Sequence, residues 1–282
     1  MGIVNVTPDS FSDGGRWPDA ARAVAHGRRL LAEGADLVDV GGESSRPGAS
    51  PVAEDEELSR VVPVVRALAS EGRVSVDTTK AAVARAAVHA GATVVNDITA
   101  SLHGVVAELG VGWIAVHMQG EPRTMQAEPR YGDVVAEVTE FLVERARIGQ
   151  AAGIDEVWVD PGIGFGKSAD HNWALLAGLD ALVARGLPTV VGTSRKAFLG
   201  AELAVADGTP DRPVPVDDRL EGSVATAVHA ARAGAAMVRV HDVAATVAAL
   251  DAAGTWTLRG APIMGATERP ADDATREAAL WR

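Results

Sequence analysis

VSVDTTKAAVARAAVHAGATVVND, residues Val74–Asp97, is a strand, a helix and a second strand written end to end. VSVD is a short β-branched run that closes on a carboxylate. Lys80–Ala90 is Ala-rich with apolar residues at helical spacing, and Gly91 supplies the left-handed position that ends such a helix. TVVN from Thr93 then begins a second apolar run, which closes on an amide. Two like strands joined through a helix lie parallel. Both of these end on polar groups.

The same unit recurs along the chain. Further apolar runs are GIVNV from Gly2, DLVDV from Asp36, WIAVH from Trp113, EVWVD from Glu156, TVVGT from Thr189 and MVRVH from Met237. Helical patterns between them include Ala20–Glu33, Asp55–Ser70, Val134–Ala152, Asn172–Arg185, Arg219–Ala233 and Val243–Ala252, with a short fourth one around His103–Leu109. Gly34, Gly72, Gly91, Gly153, Gly186 and Gly234 follow helices and are expected in the left-handed conformation. The strands are nearly continuous in apolar character, as in a parallel sheet covered on both faces. About eight units spaced by roughly thirty residues predict a single α/β domain, a (β/α)8 TIM barrel over residues 1–254. An open doubly wound sheet ranks below it. Ala206–Asp218 breaks the regularity, and residues 255–282 read as a C-terminal tail with a short helix beginning near Ala271.

Composition narrows the function. Among 282 residues, 47% are hydrophobic, enough for a sizeable core. Acidic residues outnumber basic ones 38 to 26, a net charge of -12, which argues against nucleic acid as a partner. Any phosphate must be held locally by a few placed side chains. The absence of cysteine excludes disulfides and thiolate metal sites. No apolar run reaches membrane-spanning length and no signal peptide is visible, so a cytoplasmic protein is expected.

A barrel builds its site at the C-terminal ends of its strands. Those ends carry Asn5; Asp39, Gly41, Gly42 and Glu43; Asp77; Asn96 and Asp97; His117; Asp160; Ser194, Arg195 and Lys196; and Arg239 with His241. Any one of these is most simply a structural cap. A polar group on all eight reads as a site. Asp77, Asn96 and Asp160 suit the donor edge of a flat heterocycle, because a carboxylate can take two parallel hydrogen bonds from an amino-pyrimidinone. Lys196 can meet the ring carbonyl opposite. Arg239 and His241, two apart, share a strand face and with Asn5 form a candidate anion pocket. Lys196 and Arg239 balancing Asp160 and Asp77 is the plain structural alternative.

Two motifs are rejected. GIGFGKS, Gly162–Ser168, has one residue too few between its glycines for a phosphate-binding P-loop, and GGESSRPG, Gly41–Gly48, lacks dinucleotide spacing. Scattered histidines make no zinc site. A metal, if used, is expected to be Mg2+ on oxygen ligands such as Asn5 and substrate phosphates. The first loop, NVTPDSFSDGG from Asn5 to Gly15, is longer and more polar than a turn requires.

NVTPDSFSDGG, DVGGESSRPGA, SVDT, VND, HMQGEPRTMQ, DPGIGFGK, GTSRKAFLG, RLEGS and RVHD together resemble the dihydropteroate synthase family of pterin-binding TIM barrels. Each piece is a weak signal; nine in family order are a strong one. The connection ITASLHGVVAELG after Asp97 is shorter than usual in that family, so the pocket wall there is expected to differ. Family members also usually carry residues ahead of the first strand.

The resemblance implies condensation of 6-hydroxymethyl-7,8-dihydropterin diphosphate with 4-aminobenzoate, giving 7,8-dihydropteroate and diphosphate with Mg2+ as cofactor. It implies catalytic roles for Asp13, Arg46, Asp77 and Lys196. Pterin contacts fall to Asp77, Asn96, Asp160, Lys196, Met118 and Phe165. Diphosphate contacts fall to Asn5, Arg239 and His241, with Asn5 also on the metal. The 4-aminobenzoate site is implied at Phe11, Ser45, Arg46, Pro47 and Ser194, on and beside two mobile loops. Sulfonamides would compete there, and a homodimer through barrel helices is implied. The alternatives are a non-catalytic pterin-binding paralogue and a pterin-dependent methyltransferase.

Overall fold

The computed structural model describes residues 1–7, 16–44 and 48–255. Six strands lie side by side and parallel in chain order: β1 (Gly2–Asn5), β2 (Leu37–Gly41), β3 (Arg73–Asp77), β4 (Val94–Asp97), β5 (Gly112–Val116) and β6 (Val157–Asp160). The short strands β7 (Val190–Val191) and β8 (Met237–Val238) form a second parallel pair. Two isolated bridges join the sheets. Val159 pairs with Thr189 between β6 and β7, and Gly2 with Val240 just past β8. The ring of eight is thereby closed, with Ile3 N–H donating to the Val240 carbonyl at 3.0 Å.

Helices cover the outside: α1 (Arg16–Ala32), α2 (Glu54–Leu68), α3 (Ala81–His89), α4 (His103–Leu109), α5 (Val134–Ala151), α6 (Ala169–Ala177), α7 (Leu179–Val183), α8 (Ala197–Ala206), α9 (Leu220–Arg232) and α10 (Val243–Ala252). Every expected strand is present, and α4 and α10 match their expected spans. The helix expected over Asn172–Arg185 is two helices. They meet at Gly178, where a Cβ would sit 3.0 Å from Val135 of α5. Helix α8 is not among the expected helical patterns, because AFLGAELAVA is apolar except for Glu202 and shows no helical stripe. Gly72 is not left-handed, whereas the other five helix-following glycines are.

The alternation of each strand sorts its side chains into two layers. Val38, Val40, Val74, Val76, Trp113, Ala115, Val157 and Val159 pack outward in the core shared with the helices. Leu37, Val94, Ile114, Val116, Trp158 and Val190 form a separate inner cluster that fills the barrel. Asp39, Asp77, Asn96 and Asp160 occupy inner-facing positions one or two pleats further along. Among the described residues no helix is long and apolar enough to cross a membrane.

Candidate active site

The inner positions of β2, β3 and β4 meet the end of β8 in one network. Arg239 donates from Nε to Asp39 Oδ2 at 2.7 Å and from Nη2 to Asp77 Oδ2 at 2.9 Å. Asn96 Nδ2 donates to the same Asp39 oxygen at 2.9 Å, while Asp39 Oδ1 is buried without a partner. Asp39 is the hub that sequence reasoning left without a role. Its signal was present: in LVDV a carboxylate shares the inward face with Leu37.

Burial drives the Asp77 carboxyl up to about 7. Arg239 opposes that rise, and Asp39, Glu57 and Asp97 reinforce it. Burial likewise raises the Asp160 carboxyl, against the pull of Lys196 and of a hydrogen bond from Gly162 N–H at 2.7 Å. The Arg239 guanidinium loses hydration, but Asp39 and Asp77 more than restore its hold on the proton.

Lys196 stands at the N-cap of α8. Its ammonium donates to the Ile163 carbonyl and lies over the Phe165 ring, 4.6 Å from the centroid. Burial lowers this lysine to about 8 despite nearby Asp160. Ser194 Oγ accepts from His241 N–H at 3.1 Å and lies 3.0 Å from His241 Nδ1. Arg239 therefore reaches across to the carboxylates while His241 is tied to Ser194. Met118 and Phe165 are half-buried just after β5 and β6. Phe11, Asp13, Ser45, Arg46, Pro47 and the tail from residue 256 lie outside the described residues.

Three other strand-end groups are structural. Asp97 accepts from Thr99, Ser101 and Leu102 N–H and from Trp113 Nε1, organising the turn into α4. Lys167, the lysine of GIGFGKS, is buried. It donates to His117 Nδ1 at 2.8 Å and to the Gly162 and Phe165 carbonyls at 3.0 Å, so it pins its own loop. Burial lowers it to about 7, and burial beside it lowers His117 to about 3, leaving the imidazole neutral as an acceptor. Glu57, fully buried on α2, accepts from Thr78 and Lys80, and Lys80 also reaches Glu43.

Among the described residues no group of three or more His, Asp or Glu side chains could hold a metal. Asn5, at the end of β1, offers a hard oxygen donor of the kind Mg2+ accepts beside phosphate and water.

The family model for pterin binding enzymes matches residues 1–241. A Mycobacterium leprae dihydropteroate synthase is 48% identical over 276 residues, 93% of this chain and 95% of its own. The Yersinia pestis dihydropteroate synthase, solved in a sulfonamide drug complex, superposes with a TM-score of 0.82 at 46% identity, covering 90% of this chain and 92% of that one. The Xanthomonas albilineans enzyme in complex with 7,8-dihydropteroate gives a TM-score of 0.78 at 45% identity, over 93% and 94%. With its barrel, inner polar ring and full-length matches in agreement, the chain belongs to the pterin-binding enzyme family, among the dihydropteroate synthases.

Proposed function

We propose that this site condenses 6-hydroxymethyl-7,8-dihydropterin diphosphate with 4-aminobenzoate to give 7,8-dihydropteroate and diphosphate. The observation that carries the reading is the polar ring at the barrel mouth: Asp77, Asn96 and Asp160 as acceptors on three strands, with Lys196 as donor opposite. A flat pterin presents donors along one edge and a carbonyl on the other. The half-buried Phe165 ring supplies an apolar face beside it.

The C–O bond at the exocyclic methylene breaks and diphosphate leaves with the electron pair. The electron-rich dihydropterin stabilises the resulting cation, so the path is SN1-like. The arylamine nitrogen then forms the new C–N bond and releases its proton to water. The amine is nucleophilic as it stands, so no general base is needed. Arg239, on turning from its bridges to Asp39 and Asp77, would neutralise the departing anion, with His241 as a further hydrogen-bond donor to it. Mg2+, held by Asn5 and substrate oxygens, would supply further charge neutralisation. Ser194, beside the N-terminus of α8, receives the aminobenzoate carboxylate. Asp13, on the first loop, would stabilise the cation, and Phe11, Ser45, Arg46 and Pro47 would contact the aminobenzoate.

A second copy of the chain is the proposed partner. Between α6, α8 and α9 runs an apolar groove of about 360 Å³ lined by Trp173, Leu176, Leu199, Leu203 and Ala225. Val205 and Leu220 on the same helices are 58% and 38% exposed. An exposed apolar groove of this kind is a usual mark of an interface.

The deciding experiment measures diphosphate release with Mg2+ and the dihydropterin diphosphate, with and without 4-aminobenzoate. Release is expected to require aminobenzoate and to vanish in Lys196→Ala. Tight pterin binding with no release under any condition would instead establish a non-catalytic pterin-binding protein.

A further inference from the structure

Two ordinary local preferences are forgone at one spot. Lys196 N–H donates to the Thr193 carbonyl at 3.1 Å, closing a tight turn that leads from β7 into α8. The third residue of that turn, Arg195, has φ +60, where glycine or asparagine is favoured. Among the described non-glycine residues only Ala100 shares a positive φ. The second oddity faces it. Asp242 is the N-cap residue of α10, a type that normally accepts from the first turn of its helix, yet its side chain makes no capping bond. Both of its oxygens are taken by Arg195, from Nε at 3.0 Å and from Nη2 at 2.7 Å.

The rest of Arg195 is held as firmly. Its N–H donates to Ser223 Oγ at 2.9 Å, and its carbonyl accepts from Arg219 Nη1 at 2.9 Å, both from the start of α9. A weaker contact from Nη1 reaches exposed Asp217 at 3.2 Å. Glycine would enter this turn more easily but has nothing with which to reach Asp242. Backbone strain that the surroundings hold in place gathers at functional sites. Here it lies between Ser194 and Lys196, opposite Arg239 and His241.

We propose that Arg195 is a positioning residue whose two-pronged bridge to Asp242 locks the Ser194–Lys196 turn against the end of β8. It fixes the separation of the aminobenzoate and pterin contacts before either substrate arrives. The inference rests on the reading of Ser194 and Lys196 as substrate contacts given above.

The test compares Arg195→Gly, Asp242→Asn, their double and Arg195→Lys with the parent. Two readouts are used: backbone amide exchange over residues 192–200, and steady-state KM and kcat for each substrate. Both single variants are expected to speed exchange in that segment. Each should raise the KM for aminobenzoate roughly tenfold, since small misplacements of binding groups carry penalties of this size or more. The double should be no worse than the worse single, because both remove one bridge. Arg195→Lys should not rescue, since an ammonium cannot span two oxygens in a fork. Arg195→Gly should melt within a few degrees of the parent, having shed the strained φ. If Arg195→Gly fails to fold, Asp242→Asn alone decides. Unchanged exchange, unchanged KM, or single effects that simply add would overturn the lock. A parent that releases no diphosphate would sink the functional reading instead, with amide exchange still deciding the lock.

Discussion

Asp39 ties the site together at the scale of one residue. Its single engaged oxygen holds both Arg239 and Asn96, and its charge helps to keep Asp77 protonated near neutrality. Asp39→Ala strips a fully buried partner from Arg239 and should cost about 3 kcal/mol in urea unfolding. An unchanged midpoint would mean that Asp77 alone satisfies the guanidinium. Asp39→Asn keeps the shape and removes the charge, so it separates stability from titration. Asp77 accepts from the pterin as a carboxylate, and its proton leaves as pH rises through about 7. Pterin affinity should therefore climb through that pH. It should fall again above about 8, where Lys196 loses the proton it donates to the ring carbonyl. In Asp39→Asn the neighbouring negative charge is gone, Asp77 ionises more readily, and the acidic limb should move to lower pH. Fluorescence titration of pterin binding between pH 5.5 and 9.5 reads both limbs; an acidic limb that stays put removes Asp39 from the titration.

At the scale of elements, strands were easier to read than the connections that shape the site. Runs such as VWVD declare themselves because β-branched residues end on a carboxylate. Helix α8 hides because a decapeptide apolar except for Glu202 has no stripe, and the break at Gly178 depends on the approach of Val135, which no local pattern records. The GIGFGKS loop lacks P-loop spacing, and the use of Lys167 as its internal pin depends on carbonyls that only the folded loop brings together. That loop also tests steric cause against conformational cause. Gly162 and Gly110 have nearly equal φ, +62 and +65, yet a Cβ on Gly162 would lie 1.8 Å from the His117 carbonyl oxygen while one on Gly110 meets nothing within 4 Å. Gly110→Ala should cost only the left-handed penalty, about 1 kcal/mol. Gly162→Ala must also move the end of β5 and should cost roughly 3 kcal/mol or more, with weakened pterin binding through displaced Phe165. Equal losses in chemical denaturation would mean that the loop yields freely and that Lys167 does not pin it.

For the whole molecule, the repeat of strand and helix made the barrel legible, since eight parallel strands of this length have few other ways to cover both faces. Closure was less legible, because β7 and β8 are two residues each and join their neighbours through single bridges. The outer face of α6, α8 and α9 was the least legible, since an apolar helix surface reads the same whether a loop or a second chain covers it. Here nothing in the described chain covers the groove beside Trp173 and Leu203. A two-fold pair of chains would cover it from both sides. Sedimentation should therefore report about twice the 29.0 kDa chain mass. Ala225→Arg, which drives a long cation into the groove wall, should halve that mass and leave a folded barrel. The strand ends face away from this surface layer, so pterin affinity in the variant should stay within about threefold of the parent. A parent that sediments as a monomer at micromolar concentration would exclude the pair. A dimeric Ala225→Arg would move the interface to another face of the barrel.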